Sequence, residues 1–283
     1  MIETPLVLAL VMLAALLHAI WNALIKASDD SWLTTLMVFA SGSVVCASAL
    51  PFVDVPARES WPYLALGAAL HNIYVAFLVL SYRFGDLSHV YPIARGTGPL
   101  LVAALSARVL GEPLSPGDTA GTALVCIGVL SLALDRTVAT PQGRRAALFA
   151  LGTGVWIAGY TIVDGMGVRR AGEPGPLAYL LWLQAVEAVP FVAVTLVLRW
   201  RDIPAFARRS GARGALGGIM ATFGYSLVLW AYSLGAIAPI AALRETSVIL
   251  AALIGTWFLG EPFGRRRLLA AGLVAAGMVS LNL

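Results

Sequence analysis

Leu110-Gly111-Glu112-Pro113 leads into Ile127-Gly128-Val129-Leu130-Ser131-Leu132, and 149 positions later Leu259-Gly260-Glu261-Pro262 leads into Ala276-Gly277-Met278-Val279-Ser280-Leu281. Ten of the 25 positions from Leu110 to Leu134 match their partners at this fixed offset. Composition alone gives roughly two or three, and self-similarity at a constant period is the mark of duplicated architecture. The chain is two copies of one unit.

The solvent of that unit follows from composition. Of 283 residues 59% are hydrophobic and 12% charged, and the mean hydropathy is +0.85. That leaves too little polar surface to cover a water-soluble globule of this size. Apolar runs of about 18 to 23 residues, each able to cross a hydrocarbon core of about 30 Å, recur at 4–26, 32–52, 61–82, 89–110, 117–134, 145–168, 177–198, 212–234, 239–259 and 266–283. The expected fold is an all-α integral membrane protein with ten transmembrane helices, arranged as five-helix repeats at 4–134 and 145–283 joined by a linker at 135–144. The first run has no basic flank and carries His18, Trp21 and Asn22 where a cleavage site would fall, so it reads as helix one and not as a signal peptide. The longest connections, 199–212 and 135–145, hold no soluble domain.

Several function classes drop out. Cys46 and Cys126, the only cysteines, lie inside apolar runs without paired spacing and read as small packing residues. The pI near 9.3 comes from arginines in short connections and not from a basic stripe with aromatics, so no nucleic-acid partner is expected. Nor does any cofactor motif or obligate protein partner emerge; the expected partners are the lipid bilayer, a small-molecule substrate and protons. Connections after odd-numbered runs hold 13 Lys and Arg and those after even-numbered runs hold 4. The positive-inside rule makes the first set cytoplasmic and puts both termini outside. A five-helix unit forces its second copy into the opposite orientation, the inverted-repeat build common among secondary transporters.

The duplicated Leu-Gly-Glu-Pro turn, each copy followed by a Gly-rich helix ending in Ser-Leu, resembles the EamA family of the drug/metabolite transporter superfamily. The resemblance covers essentially the whole chain. It implies a substrate cavity between the repeats and export or exchange of amino acids, nucleosides or other small metabolites at the inner (cytoplasmic) membrane.

Within the membrane a charged side chain costs at least about 2.5 to 3.5 kcal/mol at a helix centre, which makes it a functional candidate by default. Arg95 and Arg244 lie at the same 149-residue offset, one per repeat. A guanidinium fork binds a carboxylate, phosphate or phosphonate bidentately; snorkelling to the interface is the structural alternative. Pro92, Pro99, Gly96 and Gly98 predict a bent or unwound helix beside Arg95. Glu245 adjoins Arg244, Asp164 lies late in helix six and Glu187 sits mid-run in helix seven. These acids read either as ion-pair partners of the arginines or as protonatable coupling groups, Glu187 foremost.

Helix one presents His18, Trp21, Asn22 and Lys26 on one face, and helix six presents Trp156, Tyr160 and Asp164. Tyr74, Tyr82, Tyr225 and Tyr232 add aromatics from helices three and eight. Together they suit a box around an organic ammonium or a ring, against an interfacial belt that accounts for Trp32, Trp61 and Trp200. His18, His71 and His89 share no ligand spacing, so no metal site is expected. Glu112 and Glu261 read as stabilisers of a turn or helix start.

The candidate substrate-binding residues are therefore Arg95, Arg244, Trp21, Asn22, His18, Trp156, Tyr160, Tyr74 and Tyr225, with Glu187, Glu245 and Asp164 for coupling or charge pairing. The expected activity is alternating-access export of a small zwitterionic or anionic metabolite such as an amino acid. The alternative is an uptake carrier or exchanger for an organic anion or amine. An intramembrane enzyme would need a nucleophile and base on matched faces, and a channel would need a repeated filter; neither pattern is present.

Overall fold

The computed structural model describes residues 5–26, 28, 30–85, 87–133, 140–259 and 265–282. All regular structure among them is helical: α1 (Pro5–Lys26), α2 (Ser31–Ala49), α3 (Trp61–Phe84), α4 (Leu87–Leu105), α5 (Pro116–Ser131), α6 (Pro141–Val168), α7 (Gly175–Glu187), α8 (Val189–Arg199), α9 (Ile203–Leu234), α10 (Ile237–Arg244), α11 (Thr246–Leu259) and α12 (Arg265–Asn282), with short 3₁₀ and π turns between some of them. Among the described residues seven segments are long and apolar enough to cross a membrane: Pro5–Asn22, Trp32–Phe52, Arg58–Ser81, Val90–Leu110, Pro141–Val168, Gly175–Arg199 and Ile203–Leu234.

Local chemistry sets the boundaries. Asp30 caps α2, its carboxylate accepting the Leu33 N–H at 3.0 Å. At α5 the Ser115 hydroxyl oxygen accepts the Asp118 N–H at 3.0 Å and Pro116 fills a position that needs no donor. The Leu-Gly-Glu-Pro turn ends the α4 stretch because Gly111 takes a left-handed conformation, φ 69°, open to glycine at little cost. The second copy, at Gly260, Glu261 and Pro262, lies outside the described residues.

Four expectations meet a different structure. The 199–212 connection is helical from Ile203, so Arg208, Arg209 and Arg213 stand on α9. Helix seven is interrupted at Ala188, where Pro190 lacks the N–H that would continue the ladder, so Glu187 ends α7 while still standing midway along the Gly175–Arg199 segment. Helix nine is broken at Glu245, where the bonds tighten: Glu245 N–H donates to Ala242 O and Val248 N–H to Glu245 O, both at 3.0 Å. By contrast α4 runs unbroken past Pro92 and Pro99. Its glycines serve close packing, since a Cβ on Gly96 would sit 2.6 Å from Leu130 and one on Gly98 2.6 Å from Ile157.

The bundle's main pairings are α3 and α4 on α6, α1 and α2 on α9, α5 on α12, α1 on α11 and α2 on α7. The α5–α12 crossing brings backbones together: a Cβ on Gly277 would lie 2.7 Å from Gly121 O and one on Gly128 3.0 Å from Ala270 O. Small residues allow such approach where lipid supplies no hydrophobic drive for helix association.

Candidate functional site

Two clusters of ionisable side chains are buried in the bundle. In the first, Arg95 of α4 and Arg244 at the end of α10 converge on Glu245 in the α10–α11 break. Arg95 Nε lies 2.7 Å from Glu245 Oε2, and Arg244 Nε 3.6 Å from Oε1. Side-chain exposures are 4%, 5% and 0%, so water does not solvate these charges. Two cations share one carboxylate, and the Nη2 atoms of both arginines lack a hydrogen-bond partner among the described residues. A buried donor left unfilled costs about 1 to 3 kcal/mol, more when charged. Around it, the Arg95 guanidinium lies over the Tyr91 ring at 5.9 Å, and His18 Nε2 is 3.1 Å from the Tyr91 hydroxyl. Trp21 sets its ring edge-on to His18 at 5.0 Å, and the Asn22 amide donates to His18 O at 2.7 Å.

The second cluster surrounds His71 of α3. Its Nε2 is 2.8 Å from Asp164 Oδ2, and its Nδ1 is 3.7 Å from Glu187 Oε2. Tyr225 donates to Asp164 Oδ2 at 2.5 Å and Tyr179 to Oδ1 at 3.4 Å. The Tyr160 ring stacks on His71 at 4.1 Å and meets Tyr74 and Tyr225 edge-on at 5.5 and 6.3 Å. Gly67, one turn before His71, makes room: a Cβ there would fall 2.2 Å from Asp164 Oδ1. Tyr160 also packs in one cluster with Ala94, the neighbour of Arg95 on α4.

Of the residues predicted from sequence, Arg95, Arg244, Glu245, His18 and Trp21 gather in the first cluster, and Tyr160, Tyr74, Tyr225, Asp164 and Glu187 in the second. Trp156 packs against Phe77 at 5.8 Å. The acids divide between the clusters: Glu245 meets the arginines, whereas Glu187 meets His71. Sequence reasoning passed over His71 as the centre of a cluster, although a histidine and Asn72 in the middle of an apolar run were visible signals. Asn72 donates to Glu187 O at 2.8 Å. Among the described residues no group of three His, Cys, Asp or Glu is placed to hold a metal ion; the side chains of His89, Lys26 and Tyr82 lie outside that description.

Glu112 also has a definite place. Its Oε2 accepts the Ile237 N–H at the start of α10 at 3.0 Å, and its Oε1 pairs with Arg169 Nη1 at the end of α6. Arg169 donates onward to Tyr232 O at 2.8 Å and Gly235 O at 2.6 Å. The carboxylate sets its charge against a helix N-terminus, as expected for this turn, but on a distant helix.

Apolar spanning helices with charged and aromatic clusters sealed inside them define a multi-pass membrane protein with a few charged side chains in a largely apolar interior. Residues 5–134 match the EamA-like transporter family. A solved crystal structure shares the fold at a TM-score of 0.74 and 17% identity, covering 97% of this chain and 95% of its own. Comparison with curated proteins returns no match.

Proposed function

We propose that the chain is a secondary active transporter with ten membrane crossings in two inverted five-helix repeats, and that it exports a small organic metabolite bearing an anionic group, an amino acid or related zwitterion or anion, across the inner membrane by alternating access. Packing supports the repeat: exchanging the halves at offset 149 carries the Gly128–Ala270 contact onto Gly277–Gly121, and the α3–α6 pairing onto α9–α1. Alternate crossing is supported by contacts at the two ends. Asp30 meets Arg199 at 2.8 Å, joining connections one and seven. Glu112 meets Arg169, and Ala57 N–H donates to Ala171 O at 2.9 Å, joining even-numbered connections. The broken α7–α8 and α10–α11 helices carry ionisable residues at their breaks, as discontinuous helices of transporters do.

The observation that carries the substrate class is the pair of buried guanidiniums sharing one carboxylate with both Nη2 atoms unfilled. An anionic ligand supplies the missing charge and acceptors. Glu187 provides the proton coupling.

The test is thermal stabilisation of the purified protein against L-amino acids, nucleosides, organic anions and amines, because a ligand that binds the folded form raises its melting point. Carboxylate-bearing ligands are expected to stabilise the protein. Arg95→Ala and Arg244→Ala should each weaken that binding about tenfold to a hundredfold, the scale of a charge-assisted bond. Stabilisation by amines alone, unchanged in both variants, overturns the reading.

A further inference from the structure

The hydrogen bonds around His71 constrain its tautomer. Asp164 is fully buried, and three groups converge on it: Tyr225 and His71 Nε2 on Oδ2, and Tyr179 on Oδ1. Both hydroxyls donate, and a carboxylate offers only acceptor atoms, so Nε2 is assigned as the N–H. The other ring nitrogen, Nδ1, faces Glu187 Oε2 at 3.7 Å. That oxygen has no hydrogen-bond partner among the described residues, and the Glu187 side chain is 11% exposed.

With no proton between them, a ring lone pair would confront a carboxylate in a site of low dielectric, where like-sign contacts are costly. One proton removes the conflict, carried either by Nδ1 and directed at Oε2 or by Oε2 and directed at Nδ1. We propose that His71 Nδ1 and Glu187 Oε2 together hold one exchangeable proton and form the proton site of the transporter, with Asp164 as the positioning residue that sets the tautomer. The proton arrives from water on one side of the membrane and leaves to water on the other; no further reactant is needed. This deepens the coupling reading above by assigning the proton to a pair instead of to Glu187 alone.

The groups facing this pair come from every neighbouring element. They are Tyr74 on α3, Tyr160 and Asp164 on α6, Tyr179 on α7 and Tyr225 on α9. Arg244 on α10 acts on His71, and Cys46 on α2 interacts with Glu187, through electrostatics. Tyr179 and Tyr225 both donate to Asp164, which leaves the His71–Glu187 gap as the place for the mobile proton.

The experiment needs no substrate, so its result is separable from that of the anion-binding test. The full chain in lipid nanodiscs is titrated with pH while ¹⁵N NMR follows its three histidines, and infrared difference spectra follow carboxyl groups. The wild type is expected to show His71 as the Nε2–H tautomer, with one proton titrating through both an imidazole and a carboxyl signal. Glu187→Gln should abolish that carboxyl signal and lower the proton affinity of His71 about tenfold or more, the coupling expected of a pair that shares a proton. His71→Gln should displace the carboxyl midpoint by about one pH unit or more. Asp164→Asn should move the tautomer ratio, which a merely structural role would leave alone. An Nδ1–H tautomer in the wild type overturns the proposal, as do His71 and Glu187 titrating with midpoints that ignore each other. Should a variant fail to fold, the wild-type tautomer decides.

Discussion

Asp30 shows how much one side chain does at the edge of the bundle. It caps α2 and also receives Arg199 Nη2 at 2.8 Å, while Arg199 Nε donates to Asp202 at 2.9 Å. Partial burial pushes its carboxyl up, but the Arg199 hydrogen bond, the Leu33 amide and the Arg199 charge outweigh it, and the group is held below the ordinary carboxylate range. A depressed folded value means stability that is present above the unfolded value of about 3.9 and lost as pH falls through the lower folded value. Asp30→Ala should therefore lower the melting temperature at neutral pH, by an amount equivalent to about 0.5 to 2 kcal/mol for a lost cap. The difference from wild type should vanish in strong acid; a gap that persists there would mean that the ion pair and cap are not its source. The two intramembrane arginines and Glu245 were legible in the sequence because a charge in an apolar run has few explanations. The His71 cluster was not, since its members come from α3, α6, α7 and α9, and only folding brings them together.

Helices were legible from hydropathy and turn chemistry, their interruptions much less so. Pro92 and Pro99 pointed to a bent or unwound helix beside Arg95, yet α4 keeps its helical bonding from Leu87 to Leu105, with Gly96 and Gly98 seating Leu130 and Ile157 against it. Pro190 broke helix seven, and the Glu245 break carries no proline at all. Composition told more at the α5–α12 crossing, where the duplicated Gly-rich helices meet. Gly277→Leu would drive a side chain into Gly121 O and should cost about 1 to 3 kcal/mol, read as a lower midpoint of thermal unfolding. On the same helix a Cβ at Gly272 meets nothing within 4 Å. Gly272→Ala should therefore match or exceed wild type, since alanine favours helix by roughly 0.5 to 1 kcal/mol. Equal loss in both variants would show that close approach is not what these glycines provide.

At the scale of the whole molecule, orientation rests on arginine. α9 has 32 residues, about 48 Å at 1.5 Å per residue, against a hydrocarbon core of about 30 Å. Its first turns carry Arg208, Arg209 and Arg213, and they extend from the end where Arg199 meets Asp30. With that end cytoplasmic, a reporter fused after Leu283 should be active only when exported; activity confined to the cytoplasm would reverse the assignment. At the opposite end, the two oxygens of Glu112 answer to different masters: one to the end of α6 through Arg169, the other to the first amide of α10. Withdrawing either partner strands half of a charged group, and withdrawing Arg169 also releases the carbonyls of Tyr232 and Gly235. This end of the protein is thus fastened twice through one carboxylate, and each hold is weaker once the other is gone.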